Sequence, residues 1–193
     1  MSLRPVVKAW KRVSDRIGIS DYRTWSRYPA PGTWTVGPPV RFYRDSGALG
    51  CTFNILGRSP DNKVALYVTA KMLWDSDQVP DALVEDYFQH YFQEAREAMH
   101  AYYRYLNDLV INNRRHEDTV FEPVEIQGIP PIYNDGAIAE LSRRLAKVEV
   151  AARQQLVQHR VRRERLALRA FDHLHRVEEL HLRWGRDKNP QTA

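Results

Sequence analysis

The sequence predicts a fold that passes from α/β to mainly α, with short βα units first and a helical C-terminal part after them. Three observations predict it. Two short apolar runs, at residues 17–22 and 49–56, are separated from each other and from the later residues by helical patterns. After Pro80 apolar residues recur at three- and four-residue steps, broken by one loop. The formal charge is +5, and its excess falls late, with 13 Arg or Lys against 6 Asp or Glu from Leu141 to Lys188.

Taken in order, residues 6–15 read as a helix, because Val7, Trp10 and Val13 fall on one face. Ile17-Gly18-Ile19 starts a strand that ends at Ser20-Asp21-Tyr22. Residues 23–37 carry Pro29, Pro31 and Gly32 without a regular period. They read as a long loop rich in aromatics, namely Trp25, Tyr28 and Trp34. Pro38 and Pro39 suit the first turn of a helix that continues over residues 40–46, and Gly47 can end it. Residues 49–56 make the second strand, which holds the single cysteine, Cys51, as a buried and inert thiol. Asp61 or Asn62 then caps a helix running to Trp74. Val64, Leu66, Val68, Met72, Leu73 and Trp74 make that helix apolar around much of its surface, so it is expected to be largely buried. This order is that of βα units with a parallel sheet. Two parallel strands need covered faces and paired edges, so an upstream portion or another chain is expected to complete the sheet.

Pro80 opens a helix with Leu83, Tyr87 and Tyr91 in step, and residues 95–110 repeat the pattern with Met99, Tyr102, Leu106 and Leu109. Residues 116–135 form a loop containing Pro123, Gly128, Pro130 and Pro131. Two stripes come next. One is Ile138, Leu141, Leu145, Val148, Ala152 and Leu156; the other is Ala167, Phe171, Leu174, Val177, Leu180 and Trp184. They predict a helical hairpin or a single bent rod. The expected organisation is residues 1–78, residues 79–185 and a disordered tail over 186–193.

Composition excludes several classes. No apolar run approaches the ~18 residues of a membrane span, so no membrane partner is expected. The N-terminus lacks a signal-peptide layout, which leaves the compartment open. One cysteine allows neither an intrachain disulfide nor a thiolate metal site.

The stretch Tyr67-Val68-Thr69-Ala70-Lys71-Met72-Leu73-Trp74-Asp75-Ser76-Asp77 carries a resemblance. So does its sequel, Asp81-Ala82-Leu83-Val84-Glu85-Asp86-Tyr87-Phe88 followed by Tyr91-Phe92. Together they resemble a bacterial family of unknown function found in large carbohydrate-active proteins, similar in architecture to α-glucuronidases and β-hexosaminidases. In that family a helix ending in a Lys-x-Leu-Trp-Asp-Pro-Asp-like motif leads into one ending in Tyr-Tyr-Gly-Pro-Ala. Here Ser76 stands where proline is usual, and Gln93-Glu94 where Gly-Pro is usual. The second change is expected to weaken the break after residue 92. The resemblance matches the C-terminal portion of the family. It implies the last βα units of a (β/α)8-type barrel followed by an α-helical C-terminal subdomain. The chain would then be a fragment of a glycoside-hydrolase-like protein, inactive alone.

In such a barrel Asp21 and Tyr22 end a strand on the face where active sites form. Trp25, Tyr28 and Trp34 would overhang it, offering flat faces to sugar rings, and Asn54 would end the second strand on the same side. Asp21, Tyr22, Trp25, Trp34 and Asn54 are therefore the expected carbohydrate-binding residues. No catalytic residue is assigned, because glycosidic cleavage commonly needs two carboxyl groups and Asp21 alone is well placed. Trp74 and Asp75 read as structural, with Trp74 buried. No cofactor is expected. No two of His159, His173, His175 and His181 stand four apart, and none sits beside a zinc-type carboxylate motif, so no metal is expected either. Arg162, Arg169, Arg176 and Arg183 repeat every seven residues and form one stripe. Nucleic acid is not expected on it, since no base-reading module accompanies it. The rival reading is a non-enzymatic helical interaction module, docking a protein partner or nucleic acid through these basic helices.

Overall fold

A computed structural model describes residues 3–21, 37–53, 62–113 and 133–188. In chain order these form α1 (Leu3–Lys11), β1 (Gly18–Asp21), α2 (Gly37–Asp45), β2 (Gly50–Phe53), α3 (Asn62–Trp74) and α4 (Pro80–Tyr91). A 3₁₀ turn (Gln93–Ala95), α5 (Arg96–Asn113), α6 (Asp135–Ala151) and α7 (Gln155–Lys188) complete them.

The two strands pair in parallel, Gly18 opposite Gly50 through Asp21 opposite Phe53, with α2 as the crossover. The Leu49 N–H donates to the Ile17 carbonyl and extends the ladder by one step. Gly47 ends the turn after α2 at a φ of +66°, where a side chain would be strained. Lys11 reaches from α1 to its carbonyl at 3.1 Å. Among the described residues Val7, Ile19 and Tyr43 form a small buried cluster here, with Ile17, Phe42, Ala48 and a half-buried Cys51 packed against them. Cys51 is thus less enclosed than the sequence predicts. Trp10 and Val13, expected on the inner face of the first helix, are exposed.

The fold as a whole is mainly helical, and the described residues contain no barrel units; the expected end of a (β/α)8-type barrel is corrected accordingly. The reason lies in where the apolar faces go. A barrel would lay its helices on the sheet, whereas α3 packs against α2 and α4. From there each helix packs on the next, α4 on α5, α5 on α6 and α6 on α7. One core runs through them, from Val40 in α2 to Phe171 in α7. Val64, Val68 and Met72, four residues apart on α3, are fully buried. Leu66, Leu73 and Trp74 lie on its other face and are exposed, which corrects the expectation that this helix is largely buried.

Two joints shape the helical array. Gln93, the first residue of the 3₁₀ turn that follows α4, takes a left-handed φ of +45°. The break therefore persists although glycine is absent. Glu94 then serves the far end of the hairpin: its Oε1 accepts the N–H groups of Arg153 and Gln154, each at 2.8 Å. This ends α6 and starts α7 in the opposite direction, so the last two stripes form a hairpin. The reversal takes Leu156 out of phase with Ile138, Leu141, Leu145 and Val148. They are buried and it is exposed.

Candidate functional site

The ends of β1 and β2 lie side by side, since Asp21 is in register with Phe53. That is the edge from which a sugar site was expected to be built. The side chain of Asp21 and all of Tyr22, Trp25, Tyr28, Trp34 and Asn54 lie outside the described residues. The structure therefore places only the backbone of Asp21 at this edge. Asp45, the acidic residue closing α2, is exposed and paired with Arg44 at 2.8 Å.

The Lys71–Asp77 motif forms the joint between α3 and α4. Asp75 Oδ1 accepts the Asp77 N–H at 3.0 Å, and Pro80 starts α4 at the position where a missing N–H costs nothing. Arg41 donates to the carbonyls of Ser76 and Gln78 at 3.3 and 3.0 Å, and Arg44 to the Ser76 hydroxyl at 2.8 Å. Serine in place of the usual proline thus gains a partner on α2. Trp74, expected in the core, is 91% exposed, because it is the last residue of α3 and points away from the face that Met72 buries.

Beside this joint, Tyr67 donates its hydroxyl to Asp86. Burial first, and this bond second, push the phenol up to about 12. Tyr87 stacks on Tyr91 at 4.9 Å, and the Arg160 guanidinium lies 4.2 Å over the Tyr91 ring. Burial pushes the Tyr87 phenol up as well. The Tyr67 and Tyr87 phenols stay protonated at neutral pH, and Tyr67 serves as a donor across the joint. Glu164, buried on α7, accepts the Tyr103 hydroxyl at 3.3 Å.

On α7, Arg162, Arg169, Arg176 and Arg183 are all exposed, in agreement with a solvated stripe. Arg176 pairs with Asp172 one turn earlier at 3.2 Å. A hollow along this helix is lined by Gln155, Leu156, Gln158, His159 and Arg162. All five belong to α7, so among the described residues no second element supplies an opposing wall. Phe171 is buried as expected, but Leu174 and Val177 are exposed. The cause is length. α7 has 34 residues against 17 in α6. At about 1.5 Å per residue, half of it therefore extends beyond its partner.

At the point where that overlap ends, three side chains that could hold an ion come together. Asp135 is the first residue of α6, where Asn134 caps by accepting the Ala137 N–H at 3.0 Å. Tyr133, just before it, meets Phe171 edge-to-face at 4.9 Å and pins the start of α6 to α7. One turn further along α7, His175 Nε2 lies 3.4 Å from Asp135 Oδ1 and 3.8 Å from Glu179 Oε1. Sequence reasoning misses this group because it looks for paired histidines and neighbouring motifs. The four-residue spacing of His175 and Glu179 is visible there; the approach of Asp135 from across the hairpin is not.

These features define a helical protein with a small parallel strand pair attached at one end. The chain belongs to the family described as Domain of unknown function (DUF4838), whose model matches residues 2–104. The match takes in the strand pair, the motif joint and the first half of α5. No curated protein and no solved structure matches the chain.

Proposed function

We propose that the chain is the C-terminal portion of a glycoside-hydrolase-like carbohydrate-active protein and serves it as a non-catalytic helical subdomain. The observation that carries this reading is the strand pair. Among the described residues β1 and β2 pair only with each other, and strands of this kind hold when further strands and helices cover their edges and faces. Another segment or chain completes that sheet. The carbohydrate part rests on the resemblance of the Tyr67–Asp77 motif and its sequel, which fall inside the family match. The chain is expected to retard in gels containing a soluble polysaccharide, with retardation lost on Trp25→Ala and Trp34→Ala, and to release no product from aryl-glycosides. Turnover abolished by Asp21→Asn would overturn the non-catalytic part. Unaltered mobility against a broad polysaccharide panel would overturn the carbohydrate part.

A second reading, a helical module that docks a protein partner, is favoured by the overhang of α7. There Val177, Leu180 and Trp184 are exposed beside the arginine stripe. Titration with labelled DNA and RNA at low and moderate salt separates a protein-docking role from phosphate binding. Tight, steeply salt-dependent binding lost on replacing the four arginines with glutamine would assign the stripe to nucleic acid instead.

A further inference from the structure

We infer that Asp135, His175 and Glu179 form a divalent transition-metal site, best suited to zinc, that ties the start of α6 to the middle of α7. The inference is independent of the carbohydrate reading. It begins with His175. The residue is only 5% exposed, and neither ring nitrogen has a hydrogen-bond partner among the described residues. A buried polar atom without a partner is costly, and native proteins keep few of them. Nε2 faces two carboxylates, yet it makes a proper hydrogen bond to neither.

The spacing fits an ion better than a proton. Charge-assisted N–H···O bonds sit near about 2.7–2.9 Å, whereas Nε2 stands 3.4 and 3.8 Å from the Asp135 and Glu179 oxygens. Around a tetrahedral zinc with bonds of about 2.0–2.1 Å, neighbouring donor atoms lie about 3.3–3.4 Å apart. All three donor atoms fall within 4.8 Å of one another. Glu179 is half-exposed, so its side chain has room to turn toward the ion. An imidazole with two carboxylates suits zinc, cobalt or manganese; magnesium and calcium prefer all-oxygen sites. Three protein donors leave the fourth position to water, on the side where Asp135 is open to solvent.

The fold explains why the donors meet. His175 and Glu179 are one turn apart on α7 and share a face. Asp135 arrives from the opposite arm of the hairpin, fixed by the Asn134 cap and the Tyr133–Phe171 contact. Arg176, the nearest cation in sequence, is turned to Asp172 and does not neutralise the group.

The test uses the full, tag-free chain, metal-stripped, titrated with Co²⁺ and then Zn²⁺ at neutral pH. His175 is buried, so the deciding variants are Asp135→Asn and Glu179→Gln, both nearer the surface, with folding checked by circular dichroism. Expected are one Co²⁺ per chain with visible d–d absorption, its displacement by Zn²⁺, a higher melting temperature with Zn²⁺, and no response to Mg²⁺. Each variant should bind Zn²⁺ about 10-fold more weakly or worse, as loss of a donor requires. Binding unchanged in both folded variants would place the metal on other histidines and overturn the proposal. So would a chain that binds neither Co²⁺ nor Zn²⁺.

Discussion

The helical array and the strand unit are built from one sequence by different means. In α3 to α7 each helix satisfies its own backbone and needs only one covered stripe. Phe88, Phe92, Met99, Leu106, Leu141, Leu145 and Val148 are fully enclosed as a result. In the strand unit the hydrogen bonds are shared between two four-residue strands, and the buried cluster among the described residues is small, Val7, Ile19 and Tyr43. α2 belongs to both. Tyr43 faces the strands, Val40 enters the helical core, and Arg41 and Arg44 grip the α3–α4 joint. The comparison teaches that helices can close a core by stacking in chain order, whereas strands depend on partners from elsewhere.

The largest expected effect breaks the helical side. Leu145→Ala removes a fully buried side chain where α6 meets its neighbours and should cost about 2–5 kcal/mol in urea denaturation followed by helical circular dichroism. Ile19→Ala should leave that midpoint in place while amide exchange in β1 and β2 accelerates. A joint loss of both signals would show that the two regions unfold as one unit.

Acid should weaken the hairpin joint. The N–H groups of Gln154 and Arg153 hold the Glu94 carboxyl below its ordinary value of 4.5. A carboxylate whose folded pKa is depressed contributes stability that is fully present above the unfolded value and lost as pH falls through the folded one. The melting temperature should therefore fall below about pH 4.5. Glu94→Gln should lower it at pH 7 and flatten the acid limb. An acid limb of the same steepness in the variant would move the cause to other carboxylates, such as Glu140, which Arg143 and Arg144 hold down at about 2.

A smaller gain is expected at Gln93. The left-handed conformation costs a non-glycine residue about 1–2 kcal/mol, and glycine returns part of this as chain entropy. Gln93→Gly should stabilise by about 1 kcal/mol or less in the same urea assay. The smallest effect sharpens the reading of the motif. Trp74→Ala should change stability by no more than about 0.5 kcal/mol, since the ring is open to solvent. A larger loss in the isolated chain would mean that the ring is covered in solution.

Much of the secondary structure was legible because its causes are local. Apolar spacing marked the helices, Pro80 and Gly47 marked a start and a stop, and two short apolar runs around a helix announced a parallel pair. What the residues do not encode locally is which surface each stripe meets. α3 reads as apolar all round, yet only the face with Val64, Val68 and Met72 finds a neighbour, so Trp74 stays outside. Nothing at Ala152-Arg153-Gln154 resembles a helix breaker. Glu94, 60 positions away from Gln154, holds the reversal there together with Gln158, which donates to the Ala152 and Arg153 carbonyls, and Leu156 beyond it faces solvent. The expected barrel failed for the same reason: alternation of helix and strand is a local pattern, whereas a barrel requires that helices choose the sheet over one another. Of the sugar-site expectation at Asp21, Tyr22, Trp25, Trp34 and Asn54, the described residues include only the common edge where β1 and β2 end. The Asp135–His175–Glu179 group shows the same division. Residue types and one helical turn were present in the sequence, and tertiary packing supplied the third donor, because donors far apart in the chain are brought together only by the contacts that close the core.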